Sequence, residues 1–221
     1  QVINPYGEGV VLTNAWGSLH RSFLFCRDLA LQLNHSAVAI GHTEIRGGHG
    51  VLSNLSRLQM WDSQLRQCGL CVQGGQAELF RNHISLSEAQ STPPGDERWS
   101  RSTLEHRNHH SEANHRAGGA LVLSNCGGLL QDNCVQGVAE LSGLCPVLRS
   151  NQLHATQVGL YGTPIMYQNV LGNLSIHPSA HPVIVNNDVG TVPAIHRGIE
   201  MRSWRHRNLR EGHEDPALFC A

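Results

Sequence analysis

Apolar and polar positions in the second half of the chain repeat with a fixed period. Segments 128–133, 146–151, 164–169 and 182–187 each open on Gly128 or on a proline (Pro146, Pro164, Pro182), continue with two apolar residues and close on an asparagine. That asparagine recurs every 18 residues, at Asn133, Asn151, Asn169 and Asn187, and another aliphatic residue follows two places later, at Val135, Leu153, Leu171 and Val189. Fixed-period self-similarity marks a repeat architecture, and this unit is too short for a helix-hairpin repeat, which takes more than about thirty residues. It suits one turn of a β-solenoid, in which short strands alternate with tight bends.

In that geometry the aliphatic residues four before and two after each Asn lie an even six apart, so the expectation is that both point inward and stack into a continuous core. The Asn is expected at the bend, where it tolerates left-handed backbone, and equivalent Asn side chains are expected to stack as an amide ladder. Proline fits the start of the next strand, where its missing N–H costs least. In the first half the bends fall at Ser22, Thr43, Ser63 and Asn82, at intervals of 21, 20 and 19 residues, with Leu24, Ile45, Leu65 and Ile84 two places on. Strand-like runs lie between them at 9–12, 29–33, 37–40 and 70–72, punctuated by Gly47-Gly48 and Gly74-Gly75.

These patterns predict an all-β chain: one right-handed parallel β-helix with 18–21-residue coils and one inserted polar loop. Residues 1–221 read as one domain, with coils at 9–87 and 118–201, the loop at 88–117 and a cap or tail at 202–221; a partial last coil passes through Ile195, Ile199 and Met201. The loop is rich in Arg, His, Asn and Glu after a turn cluster, Ser91-Thr92-Pro93-Pro94-Gly95-Asp96. A left-handed solenoid of three hexapeptides per coil has the same period. Its sixth-residue register is met at Leu129, Val135, Leu141, Val147, Leu153, Ile165 and Leu171 but fails at Gly159 and His177. The longer, uneven coils of the first half favour the right-handed form.

The β-helix repeats in 146–154 (Pro146-Val147-Leu148-Arg149-Ser150-Asn151-Gln152-Leu153-His154) and 48–52 (Gly48-His49-Gly50-Val51-Leu52) resemble those of the pectate-lyase-like superfamily. They are most similar to the non-enzymatic kind in the β-helix regions of F-box proteins and fibrocystin-type extracellular proteins. The resemblance implies a scaffold, which many functions reuse. The coils here are shorter than that family's usual ones.

Composition narrows the partners. A formal net charge of −1 predicts no broad attraction to nucleic acid or anionic membrane. No apolar run reaches the length of a membrane span. All positive charge is carried by Arg, with no Lys, while His reaches 15 residues. The start, Gln1-Val2-Ile3-Asn4-Pro5, has neither Met nor a signal peptide's regions and reads as a processed product or part of something longer.

Candidate chemistry is sparse. Gly48-His49-Gly50 resembles the Gly-His-Gly of polygalacturonases, but glycoside hydrolysis needs paired carboxyl groups, and the Asp residues (28, 62, 96, 132, 188 and 215) include no adjacent pair. It reads better as a turn entering a strand. A lyase would draw on carboxylates from neighbouring coils, and Glu44 and Asp62 flank equivalent bends. Cys68 and Cys71 form a lone C-x-x-C without a second pair, which suits interior packing more than metal binding. His106, His109 and His110 are the metal-ligand candidates of the loop. Asn34, Asn54 and Asn173 head Asn-x-Ser sequons, where ordinary Ser and Thr frequencies would give about two by chance, and with seven Cys they lean towards an extracellular setting.

The reading that emerges is a non-catalytic structural or interaction module of a larger protein, presenting a flat solenoid face to a protein or glycan, with no cofactor and no nucleic-acid partner. A carbohydrate-active enzyme of the β-helix class is the alternative. A second alternative is a cytoplasmic or nuclear substrate-recognition β-helix of the F-box kind.

Overall fold

The computed structural model describes residues 1–86 and 119–191. The loop at 88–117 with His106, His109 and His110, the partial coil through Ile195, Ile199 and Met201, Cys220 and the tail at 202–221 lie outside the described residues. Among the described residues every element is a β-strand and each pairing is parallel, so the chain stacks as a β-solenoid of about 8 turns. No described helix is long and apolar enough to cross a membrane.

Each coil contributes strands to three faces. The first face stacks Val10–Thr13 on Leu29–Asn34, then the leading halves of Gly50–Trp61 and Leu70–Phe80, then Leu121–Ser124 and the trailing half of Cys134–Ser142. The second stacks Trp16–His20, Ala37–Gly41, the trailing halves of Gly50–Trp61 and Leu70–Phe80, then Gly127–Gln131, Val147–Arg149, Ile165–Tyr167 and Val183–Val185. The third runs from Val2–Asn4 through Phe23–Cys26, Glu44–Arg46, Gln64–Arg66 and His83–Ser85 to Asp188–Thr191. The stack therefore begins at Val2, ahead of the boundary expected at residue 9. Asn82 hydrogen-bonds Asn133 across a sequence gap of 51, so these two residues sit in adjacent coils.

The corner between the second and third faces is the repeat seen in the sequence, and it is built from two residues. The first takes left-handed backbone: Arg21, His42, Asp62, Arg81, Asp132, Ser150, Gln168 and Asn186 have φ between +47° and +56°. The second is the ladder residue, Ser22, Thr43, Ser63, Asn82, Asn133, Asn151, Asn169 or Asn187. The left-handed residue thus precedes the Asn, correcting the expectation that the Asn itself takes that geometry. The physical reason is orientation. The ladder side chain must point inward to meet its neighbours, and the strained turn one place earlier aims it there.

From Ser22 to Ser63 each ladder residue's backbone N–H donates to the side-chain oxygen one coil on, at spacings of 21, 20 and 19 residues. The Asn residues do more. Asn151 N–H and Nδ2 both donate to Asn169 Oδ1 at 2.9 Å, and Asn151 Nδ2 also donates to Leu130 O at 3.0 Å in the preceding coil. A hydroxyl has one proton, which Ser63 and Thr43 give to a carbonyl two places back. An amide has two, so it ties three coils together.

The interior follows from the same corner. Leu24, Ile45, Leu65, Ile84, Val135, Leu153, Leu171 and Val189 stack as one buried row, as the spacing predicts. On the second face the buried row is Ile40, Met60, Leu79, Leu130, Leu148, Met166 and Ile184, three places before each ladder residue. The expected inward residues four places before, Leu129, Val147, Ile165 and Val183, face outward, and Ile165 is 45% exposed. The left-handed residue interrupts the in–out alternation and moves its phase by one, which an even-spacing rule does not anticipate. The sixth-residue register fails for the same reason, since Leu129, Val147 and Ile165 belong to it. Each buried aliphatic side chain contributes roughly 1.5–3 kcal/mol.

A second ladder lies at the corner between the first and second faces. Ala15 N–H donates to Ser36 Oγ at 3.2 Å and Ser36 N–H to Ser56 Oγ at 3.0 Å, after left-handed Asn14, His35 and Leu55. The third corner, at Gly47-Gly48-His49-Gly50, is a backbone-packed turn: a Cβ on Gly48 would lie 1.6 Å from Asp28 O. Gly48-His49-Gly50 is thus a turn entering a strand, as the sequence suggests.

Two stability outcomes follow. Asn169→Ala strands the Asn151 amide N–H and Leu148 O inside the stack, so chemical denaturation is expected to show a loss of about 3 kcal/mol or more, against little change for exposed Gln152→Ala. Thr156 Oγ1 and Ser53 Oγ are buried without a hydrogen-bond partner, so Thr156→Val and Ser53→Ala are each expected to raise stability by about 1 kcal/mol in the same assay.

Candidate binding face

The phase shift that buries Leu79 and Leu130 turns their neighbours on the second face outward. In register these form one row along the solenoid axis: His20, Gly41, Trp61, Phe80, Gln131, Arg149, Tyr167 and Val185. Neighbouring members are one coil apart, about 4.8 Å.

Gly41 is what lets the aromatic part lie flat. A Cβ there would fall 2.5–2.7 Å from Cε2, Cζ2 and Nε1 of Trp61, so the indole lies across the bare glycine. From that position it reaches His20, with ring centroids 5.2 Å apart and planes at 56°. Phe80 follows in the next coil. Further along, Arg149 Cζ lies 5.4 Å from the Tyr167 ring centroid.

Planar polar groups flank Trp61 and Phe80 on both sides. On the strand side, Gln59 Nε2 donates to Glu78 Oε2 at 2.7 Å and an Arg57 Nη donates to Glu78 Oε1 at 3.0 Å. On the corner side, Arg81 makes a bidentate pair with Asp62, at 2.7 and 2.9 Å. The Arg81 hydrogen bonds hold the Asp62 carboxyl below its ordinary range, so it is ionised, as an acceptor and not as an acid. The corner continues as a line of alternating charge through Asp132, whose field also acts on Arg81.

The residues weighed for catalysis are each engaged locally. Glu44 pairs with Arg46 and, at 3.5 Å, with Arg66; Arg46 in turn lies over the Phe23 ring. Asp62 is held by Arg81, and His49 sits in the third-corner turn, where its backbone N–H donates to Asp28 O at 2.7 Å. Among the described residues no group of three His, Cys, Asp or Glu is placed to hold a metal ion.

The described cysteines are free. Burial pushes the Cys68 and Cys126 thiols up to about 12 and those of Cys71 and Cys145 up to about 11, so they are neutral at physiological pH. Cys68 packs in the core, while Cys71 is half-buried. Asn34 and Asn54 are stacked register partners, and their sequon serines, Ser36 and Ser56, are buried in the second ladder. Their Asn-x-Ser spacing thus serves the bend, whereas Asn173 is exposed.

Sequence reasoning missed the outward row. Its signal was present, since Trp61 and Phe80 stand two places before Ser63 and Asn82, but the phase change at the corner had to be known first. No family model, curated protein or solved structure matches the chain.

Gly41→Ala is expected to lift the indole off the face while leaving the stack folded. Near-ultraviolet circular dichroism is the check: loss of the Trp61 band with an unchanged far-ultraviolet spectrum is the expected outcome.

Proposed function

We propose that this chain is a non-catalytic interaction module, presenting the second face of its solenoid to a protein or glycan partner. In this reading it is a parallel β-helix of the pectate-lyase-like type, non-enzymatic as in F-box and fibrocystin-type β-helices. Its hand is the right-handed one that connections between parallel strands of one sheet take. The outward row carries the reading. Trp61, Phe80 and Tyr167 are only partly buried, on a surface whose backbone hydrogen bonds are already used within the stack, so what the face offers is side chains.

The enzymatic alternative asks Glu44 or Asp62 to act as acid or base, and their arginine partners speak against it. An extracellular setting is supported by the exposed sequon at Asn173. The free, buried thiols favour the second reading, an intracellular F-box-like recognition domain. Mass spectrometry of the chain from its native source separates the two: glycan at Asn173 supports the secretory route, and unmodified Asn34, Asn54 and Asn173 support the intracellular one.

The module reading predicts retention without turnover. In affinity electrophoresis and protein-binding assays a partner is expected to retard the chain, with no new reducing ends or unsaturated products from pectin, alginate, hyaluronan or neutral glucans. Turnover abolished by Asp62→Asn or Glu44→Gln would overturn it.

A further inference from the structure

We infer that the Trp61–Phe80 part of the second face binds a linear, neutral polysaccharide running along the solenoid axis. This rests on the interaction-module reading and assigns its partner a chemical class.

Three observations carry it. The first is the shape of the aromatic surface. Residues that anchor protein interfaces usually project into a pocket of the partner. Trp61 does not project: its indole lies across Gly41 beside the tilted His20 ring, and so offers a plane. A flat ring is complementary to the C–H face of a pyranose, which has alternating apolar and hydroxylated surfaces. Phe80 continues the floor one coil on. The repeat of about 4.8 Å per coil is comparable with the length of a single sugar ring.

The second is the pair of walls. Gln59 and Glu78 stand on one side of the floor and Asp62 and Arg81 on the other. Amide, carboxylate and guanidinium groups match the paired hydroxyls at a sugar's edge. Each is already held by a neighbour, so little side-chain freedom is lost when a ligand arrives.

The third is charge. Arg57 is matched by Glu78 and Arg81 by Asp62, so the two cations beside the floor are neutralised within the site. A uronate polymer would have to break these pairs to gain a counter-charge; a neutral polymer would not.

Isothermal titration and affinity electrophoresis with a soluble neutral β-glucan, a neutral xylan and polygalacturonate test the assignment. The wild-type chain is compared with Trp61→Ala, Phe80→Ala, Trp61→Phe and Trp16→Ala, each first shown to unfold at a near wild-type midpoint. Trp16 is an exposed tryptophan off the row and serves as the control. A neutral polymer is expected to bind, roughly tenfold more weakly to Trp61→Ala and Phe80→Ala, less so to Trp61→Phe, and unchanged to Trp16→Ala. Binding to neither neutral polymer, preference for polygalacturonate, or affinity indifferent to Trp61 and Phe80 would each overturn the assignment. Those failures leave the module reading standing with another partner. Cleavage of any of the three polymers would instead remove the module reading itself.

Discussion

The structure depends on one hydrogen bond repeated along a corner: a backbone N–H in one coil donated to a side-chain oxygen in the next. Turning a chain sharply between two strands leaves an amide pointing along the axis into the stack, and a buried unpaired amide is costly. Ser, Thr and Asn meet that need from the adjacent coil, so coils can be added only in register. The Asn residues from 82 onward go further, because two amide protons reach a neighbouring oxygen and a carbonyl of the coil behind. The coil shortens to 18 residues where this stronger ladder takes over.

The left-handed residue before each ladder position sets the arrangement of both surfaces. It interrupts the alternation of the strand, so that Leu148 and Asn151 both point inward while Val147, Arg149 and Ser150 do not. Inside, the consequence is a set of aliphatic rows; among the described residues the buried polar side chains are those of the two ladders together with Ser53 and Thr156. Outside, it aligns Trp61 with Phe80 and places Arg81 beside Asp62. The bare Gly41 gains its meaning only in this alignment, as the place where the indole rests.

The charges beside Trp61 and Phe80 are paired with one another. Glu78 and Asp62, which flank Trp61, each have an arginine partner, as has Glu44 on the neighbouring third-face strand. Asp62 illustrates this: the guanidinium that orients it through two hydrogen bonds also holds its carboxyl below the ordinary range.

The period, the parallel stacking, the ladder positions and the buried row from Leu24 to Val189 were legible in the chain, because each depends on residue identity at a constant spacing. Gly48-His49-Gly50 was legible as a turn on the same grounds. Which aliphatic residue enters the core before each Asn was not, since a single positive φ at Ser150 or Gln168 moves the phase and leaves no mark on composition. The second ladder at Ser36 and Ser56 was hidden inside two sequons. The outward row was beyond reach for a further reason: its members are 18 to 51 residues apart and differ in type, so only the stacking of coils, which converts that separation into a few ångströms, makes Trp61, Phe80 and their polar flanks one surface.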